Sequence, residues 1–97
     1  MPYTPITLTQ LLEMRADYVV ENEPLVLMCV SKEMFDYVIE SFVHKGRNWC
    51  NFPIPRYVED FPTRKIVLSA LVDHMREAFP DLKFRLCPAV IAVNVFE

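Results

Sequence analysis

The fold is decided by residues 60–96, which read DFPTRKIVLSALVDHMREAFPDLKFRLCPAVIAVNVF. In the first half of this stretch apolar residues recur every three or four positions, which predicts one wide apolar helix face from about residue 61 to residue 79. The residues of that face are Val67, Leu68, Leu71, Val72, Met75 and Phe79. Pro80 lacks the N–H that a continuing helix needs, so the helix is expected to end before it.

The hydrophobic period changes from 3.6 to 2 after Pro80. Residues 82–86 alternate between apolar and basic, which is typical of a strand half exposed to water. Residues 90–96 are apolar on both faces, as expected for a strand in the centre of a small sheet. Because Cys87, Pro88 and Ala89 separate the two runs, we expect an antiparallel hairpin whose loop is longer than two residues.

The N-terminal half of the chain predicts two helices with a strand between them. Thr7 and Gln10 fit a capping box at the start of the first helix, which is expected to run to about residue 20. The segment 21–24 is expected to end it, and the short apolar run 25–30 suits a buried strand. A second helix is expected over residues 31–46, because the chain's only glycine lies where a left-handed terminal residue is wanted.

Residues 46–59 combine aromatic side chains with prolines and are expected to form a long loop with a short edge strand at 48–52. Residues 1–97 are therefore predicted to form a single α+β domain. Its architecture is three helices packed on a small, mainly antiparallel sheet of three to four strands, ending in a helix-strand-strand unit.

Composition limits the classes of function. The chain is 53% hydrophobic with one glycine, which suggests that part of its apolar surface serves a partner. Its apolar runs are too short to span a bilayer and no signal-peptide pattern begins it, so a cytoplasmic location without membrane contact is expected. Three widely spaced cysteines favour reduced thiols.

Motifs for catalysis are missing from the sequence. No catalytic, cofactor-binding or metal-binding spacing is present, so we expect a protein that is not an enzyme and holds no cofactor. The remaining enzymatic alternative is a nucleophilic Cys50 assisted by His44, although no cysteine-enzyme signature surrounds it.

Charge is divided unevenly along the chain. Residues 1–43 hold seven acids and two bases, whereas residues 44–97 hold six acids and eight bases. At helical spacing the acids form two stripes, Glu13, Asp17 and Glu21 in one and Glu33, Asp36 and Glu40 in the other. One interpretation is an acidic face that fills a basic, nucleic-acid-binding groove. The alternative is two ordinary solvated helix faces.

A second group joins arginines to aromatic residues between positions 47 and 57. Trp49, Arg56 and Tyr57 would either stack bases and grip phosphates or anchor a protein partner, since Trp, Tyr and Arg are enriched at interface hot spots. The plain alternative is that the aromatic residues pack the loop onto the sheet. The net charge of −3 disfavours direct binding of nucleic acid.

The segment 75–84, MREAFPDLKF, followed by a strand ending in Val93-Asn94-Val95, resembles an element of small phage and mobile-element proteins, anti-CRISPR proteins among them. The resemblance covers about a third of the chain and transfers no functional residue. It implies a small stoichiometric inhibitor that acts by binding.

These observations lead to two functional hypotheses. The first is a non-enzymatic, phage-encoded inhibitor in the host cytoplasm, which binds a host protein or ribonucleoprotein complex such as a CRISPR effector. The second is a self-associating adaptor or subunit that forms a homo-oligomer through the 47–57 loop. The candidate contact residues are Glu13, Asp17, Glu21, Glu33, Asp36, Glu40, Trp49, Arg56 and Tyr57.

Overall fold

The structure is a computed structural model that describes residues 4–95. These residues form three α-helices and one three-stranded antiparallel sheet, so the predicted α+β class is confirmed. The elements are α1 (Leu8–Ile39), a π-helical turn (Glu40–His44), β1 (Trp49–Pro53), α2 (Arg56–Glu59), α3 (Arg64–Ala78), β2 (Lys83–Leu86) and β3 (Val90–Asn94).

The sheet has the strand order β1-β3-β2, and both pairings are antiparallel. The predicted β2–β3 hairpin, the central position of β3 and the edge strand near 48–52 are therefore confirmed. Strand β3 ends at Asn94, and Phe96, the last residue of the predicted strand, lies outside the described residues. Gly46 has a positive φ of 64°, as its predicted place at the end of a helix requires.

The N-terminal half differs from the prediction, because residues 25–30 are helical and not a strand. Helix α1 runs for 32 residues, passes through Pro24 and joins the two predicted helices into one. Val30, Met34 and Val38 are buried at a spacing of four residues. Burying each of these side chains is worth about 1.5–3 kcal/mol. The three together therefore outweigh the roughly 3 kcal/mol that an interior proline costs.

The core lies between the helices and one face of the sheet. Helix α3 buries the apolar face predicted for it, including Leu71 and Met75. Phe52, Phe84 and Ile91 are buried on the strands, whereas the residues that alternate with them remain exposed or half-buried. Helices α1 and α3 therefore cover the inner face of the sheet, and its outer face is left open.

The start of α1 projects from this core. Every described residue from 4 to 18 is exposed, and the long axis of the molecule measures 60 Å against 22 and 21 Å for the other two. The radius of gyration is 17.0 Å. A compact chain of about 100 residues has a radius of gyration near 13 Å. We call residues 6–18 the arm; they comprise the first three turns of α1 and the two residues before it.

Candidate interaction surfaces

One side of the arm carries apolar residues that continue along α1 toward the core. Positions 8, 11, 15, 18, 22 and 25 follow the alternating three- and four-residue spacing of a coiled-coil heptad. We call these residues the seam: Leu8, Leu11, Arg15, Tyr18, Asn22 and Leu25. Leu8 is 71% exposed and Leu25 is 54% exposed. Apart from Tyr18, which contacts Phe61, and the half-buried Asn22, the chain leaves uncovered the type of helix face that normally packs against another helix.

Two contacts with the rest of the domain and one within α1 lie at the base of the arm. The ring of Tyr18 lies 5.8 Å from that of Phe61, and the hydroxyl of Thr63 donates a hydrogen bond of 2.8 Å to Glu23. The side-chain amide of Asn22 donates to the carbonyl of Tyr18 across 2.8 Å. The arm begins with the predicted capping box, in which Thr7 and Gln10 each accept a hydrogen bond from the other's backbone. The arm is therefore a capped helix that is anchored to the domain at its base.

The structure places both acidic stripes on α1. All six carboxylate residues are exposed. At 100° per residue, however, the centre of Glu13, Asp17 and Glu21 is rotated by roughly 130° about the helix axis from the centre of the other stripe. The two stripes therefore lie on different sides of one helix and do not form one acidic face.

The second stripe also has partners within the chain. His44 forms a hydrogen bond with Glu40, and this contact holds the pKa of the Glu40 carboxyl below its ordinary value. Glu33 lies beside Tyr57. The pKa of Tyr57 is raised above its ordinary value, mainly by desolvation and to a smaller extent by the contact with Glu33. The stripe of Glu13, Asp17 and Glu21 is thus the more accessible one for a foreign partner.

The predicted aromatic-basic group is divided by the fold. Residues 47–57 form strand β1 and the start of α2 and are not a single loop. Tyr57 lies against α1 beside Glu33, and Arg56 forms an exposed ion pair of 3.6 Å with Asp60. Trp49 instead projects from the outer face of the sheet, where Arg47 lies 5.8 Å from the centre of its ring.

The outer face of the sheet brings Trp49 together with residues that the sequence did not assign to a site. Pairing between the strands places Trp49, Asn94 and Lys83 in one row. The next row contains Asn51, Ala92 and Arg85. Beside β2 lies a cavity of about 650 Å³, whose lining includes Arg76, Lys83 and Arg85. The alternation of residues 82–86 predicted that both basic side chains of β2 face outward, but not that they share a face with Trp49.

Cys50 lies on the inner face of β1 and is buried. Burial raises the pKa of its thiol, while a hydrogen bond from Ser41 and the charge of Arg47 act in the opposite direction. Within residues 4–95, no three His, Cys, Asp or Glu side chains gather closely enough to hold a metal ion. In the same part of the chain no helix has the length and apolar character needed to cross a membrane.

The fold and its surfaces define a small α+β domain with a projecting helical arm. Comparison with protein-family models, curated proteins and solved structures yields no match to this chain.

Proposed function

We propose that the protein is a non-catalytic binding module that pairs with a second copy of itself through the seam of α1. The exposed heptad pattern on the projecting arm carries this proposal. Single exposed apolar residues are ordinary on a protein surface, but a contiguous apolar patch is typical of an interaction site. Here the apolar seam residues Leu8, Leu11, Tyr18 and Leu25 are 71%, 49%, 51% and 54% exposed.

An antiparallel pairing of two arms accounts for the polar residues of the seam. A parallel pair would place Arg15 directly against Arg15 of the second copy, where like charges repel. An antiparallel pair centred between positions 16 and 17 places Arg15 against Tyr18 of the second copy, where a guanidinium is attracted to an aromatic ring. It also places Leu8 against Leu25. The polar Asn22 then restricts the register, as a buried asparagine does in coiled coils.

This arrangement keeps most of the acidic charge away from the contact. Glu13 and Asp17 lie on the side of α1 opposite the seam, so the negative charges of two copies remain in water. Self-association through the 47–57 segment has less support, because Tyr57 and Arg56 already have partners within the chain. The adaptor hypothesis is therefore assigned to the arm.

The test is co-purification of two differently tagged copies of the full chain. We expect the copy that carries the second tag to be retained together with the copy captured through the first tag. Leu11→Glu should abolish this retention, because it places a charge within the apolar seam. Val20→Glu is the matched control, since Val20 is 77% exposed but lies on the far side of the helix. Equal retention for the two variants, or none for the native chain, would contradict the proposal.

The second candidate function is inhibition of a host nucleic-acid-handling complex, such as a CRISPR effector, through an acidic surface. Its support is the exposed stripe of Glu13, Asp17 and Glu21 on the projecting arm. Within residues 4–95, none of these three carboxylates forms an ion pair shorter than 4 Å. A helix that presents unneutralised acids away from its domain is suited to a basic groove.

Charge reversal distinguishes this candidate from binding through the aromatic residues. Glu13→Lys combined with Asp17→Lys should abolish capture of a bacterial nuclease complex and its inhibition, and the native binding should weaken steeply with salt. The comparison variant combines Trp49→Ala with Tyr57→Ala. If that variant loses inhibition while the charge-reversed one retains it, the acidic mechanism fails and an aromatic hot spot replaces it.

A further inference from the structure

The outer face of the sheet has a composition that differs from that of the helices behind it. Among residues 4–95 it presents one exposed aromatic ring, Trp49, whose exposed fraction is 52%, with Arg47 beside it. Asn51 and Asn94 flank the ring on the same strand and on the next one. Lys83 and Arg85 project from the far strand. We propose that this face binds single-stranded nucleic acid, with one base on Trp49 and neighbouring phosphates on the cations beside β2.

The distances suit a short segment of a single strand. Trp49 and Lys83 are each paired with Asn94, so two strand spacings separate them. With neighbouring strands about 4.8 Å apart, their backbones lie roughly 10 Å from each other. A chain that crosses the sheet from Trp49 to the cavity beside β2 therefore meets the aromatic ring first and the three cations next.

Charge on this face favours a polyanion, although the whole chain is acidic. Arg76, Lys83 and Arg85 line the cavity, and among residues 4–95 no carboxylate side chain lines it. Asp73 forms an exposed ion pair of 3.8 Å with Arg76, and Asp81 lines a different cavity. The acids of α1 belong to the helical layer on the other side of the sheet. Because the sheet separates these acids from Lys83 and Arg85, the net charge does not describe this surface.

The chemistry of the face selects an unpaired base. An indole stacks on the flat side of a base, and bases within a duplex do not expose that side. The side-chain amide of Asn51, two residues after Trp49 on the same face of β1, supplies hydrogen-bond donors and an acceptor for the edge of a stacked base. This binding surface is separate from the seam, so it does not depend on self-association.

The chain's only tryptophan is the probe. Short single-stranded DNA and RNA oligonucleotides of the same sequence should quench its fluorescence, and a duplex of that sequence should not. Affinity should fall with salt at a slope near −0.7 per phosphate, for about two to three phosphates. Equal affinity for DNA and RNA indicates recognition of bases and phosphates alone, and a preference for RNA indicates a contact to the 2′-hydroxyl.

Variants identify the contacts, with binding followed by the anisotropy of a labelled oligonucleotide. Trp49→Ala should weaken binding at least about fivefold, and Trp49→Phe should preserve most of it, because stacking needs an aromatic ring. Lys83→Gln combined with Arg85→Gln should weaken binding and reduce the salt slope by about 1–2. Lys65→Gln, on the exposed side of α3, is the control and should change neither quantity.

Three results would overturn the proposal. The first is the absence of quenching by either oligonucleotide at low salt. The second is equal binding of inorganic polyphosphate that does not depend on Trp49, which would indicate unspecific attraction of anions. The third is an unchanged affinity in the Lys83 and Arg85 double variant. Since both of these side chains are exposed, that variant keeps the test valid even if Trp49→Ala does not fold.

Discussion

The hydroxyl of Thr63 donates a hydrogen bond to the Glu23 carboxylate, with 2.8 Å between Oγ1 and Oε2. Thr63 is the residue before α3, but its side chain does not cap that helix. It instead contacts α1, at the level where the arm leaves the domain. The bond therefore joins the two long helices, and it fixes the part of α1 from which the seam extends.

Thr63→Val should lower the free energy of unfolding by about 1–2 kcal/mol, because a partly buried carboxylate loses a donor that water replaces poorly. Urea unfolding measures the change. Thr9→Val is the control, since Thr9 lies on the exposed arm and the substitution is chemically the same. If both substitutions have the same effect, the bond to Glu23 contributes nothing to stability.

Pro24→Ala should raise the free energy of unfolding by about 2–3 kcal/mol. A proline inside a helix removes a backbone hydrogen bond and crowds the preceding turn, at a cost of about 3 kcal/mol, and the loss of its stiffness in the unfolded chain offsets up to about 1 kcal/mol. Pro24 is exposed, so the substitution leaves no cavity. Urea unfolding again gives the value, and a destabilised variant would mean that Pro24 stabilises the folded chain despite the backbone hydrogen bond that it removes.

Cys50 should resist iodoacetamide near neutral pH while Cys29 reacts. Cys29 is exposed and Cys50 is buried. Burial raises the pKa of the Cys50 thiol, so its reactive thiolate form becomes abundant only at a higher pH than for an exposed cysteine. Peptide mass spectrometry of the alkylated native chain measures both sites. Modification of Cys50 as fast as Cys29 would revive the hypothesis of a cysteine nucleophile.

The sequence predicted the C-terminal half well because each element there has a clear start and stop. Pro80 separates a helix of period 3.6 from a strand of period 2, and both periods survive in the folded chain. The N-terminal half lacked such markers. Pro24 resembled a helix end, and the six apolar residues after it fit a strand and a buried helix equally well. The four-residue spacing of Val30, Met34 and Val38, which are buried on α1, is the pattern that indicates a helix there.

The surfaces were less predictable than the elements. The sequence predicted that Glu13 and Asp17 face water, and both are exposed. For Trp49 it left open whether the ring binds a partner or packs onto the sheet, and the ring is 52% exposed. It did not predict that Lys83 lies in the same row as Trp49, because that relationship depends on the register of two strand pairings, one of which joins segments more than thirty residues apart. The exposure of the seam was equally hidden, since an amphipathic helix looks the same in sequence whether or not its own domain covers it.

Sedimentation of the native full chain over a wide range of concentrations tests the central claim, self-association through the seam, most directly. The chain has a mass of 11.4 kDa. We predict that the measured mass rises with concentration from this value to twice this value and then stays constant, because an antiparallel pair is closed and leaves no seam for a third copy. A mass of 11.4 kDa at every concentration would contradict the account.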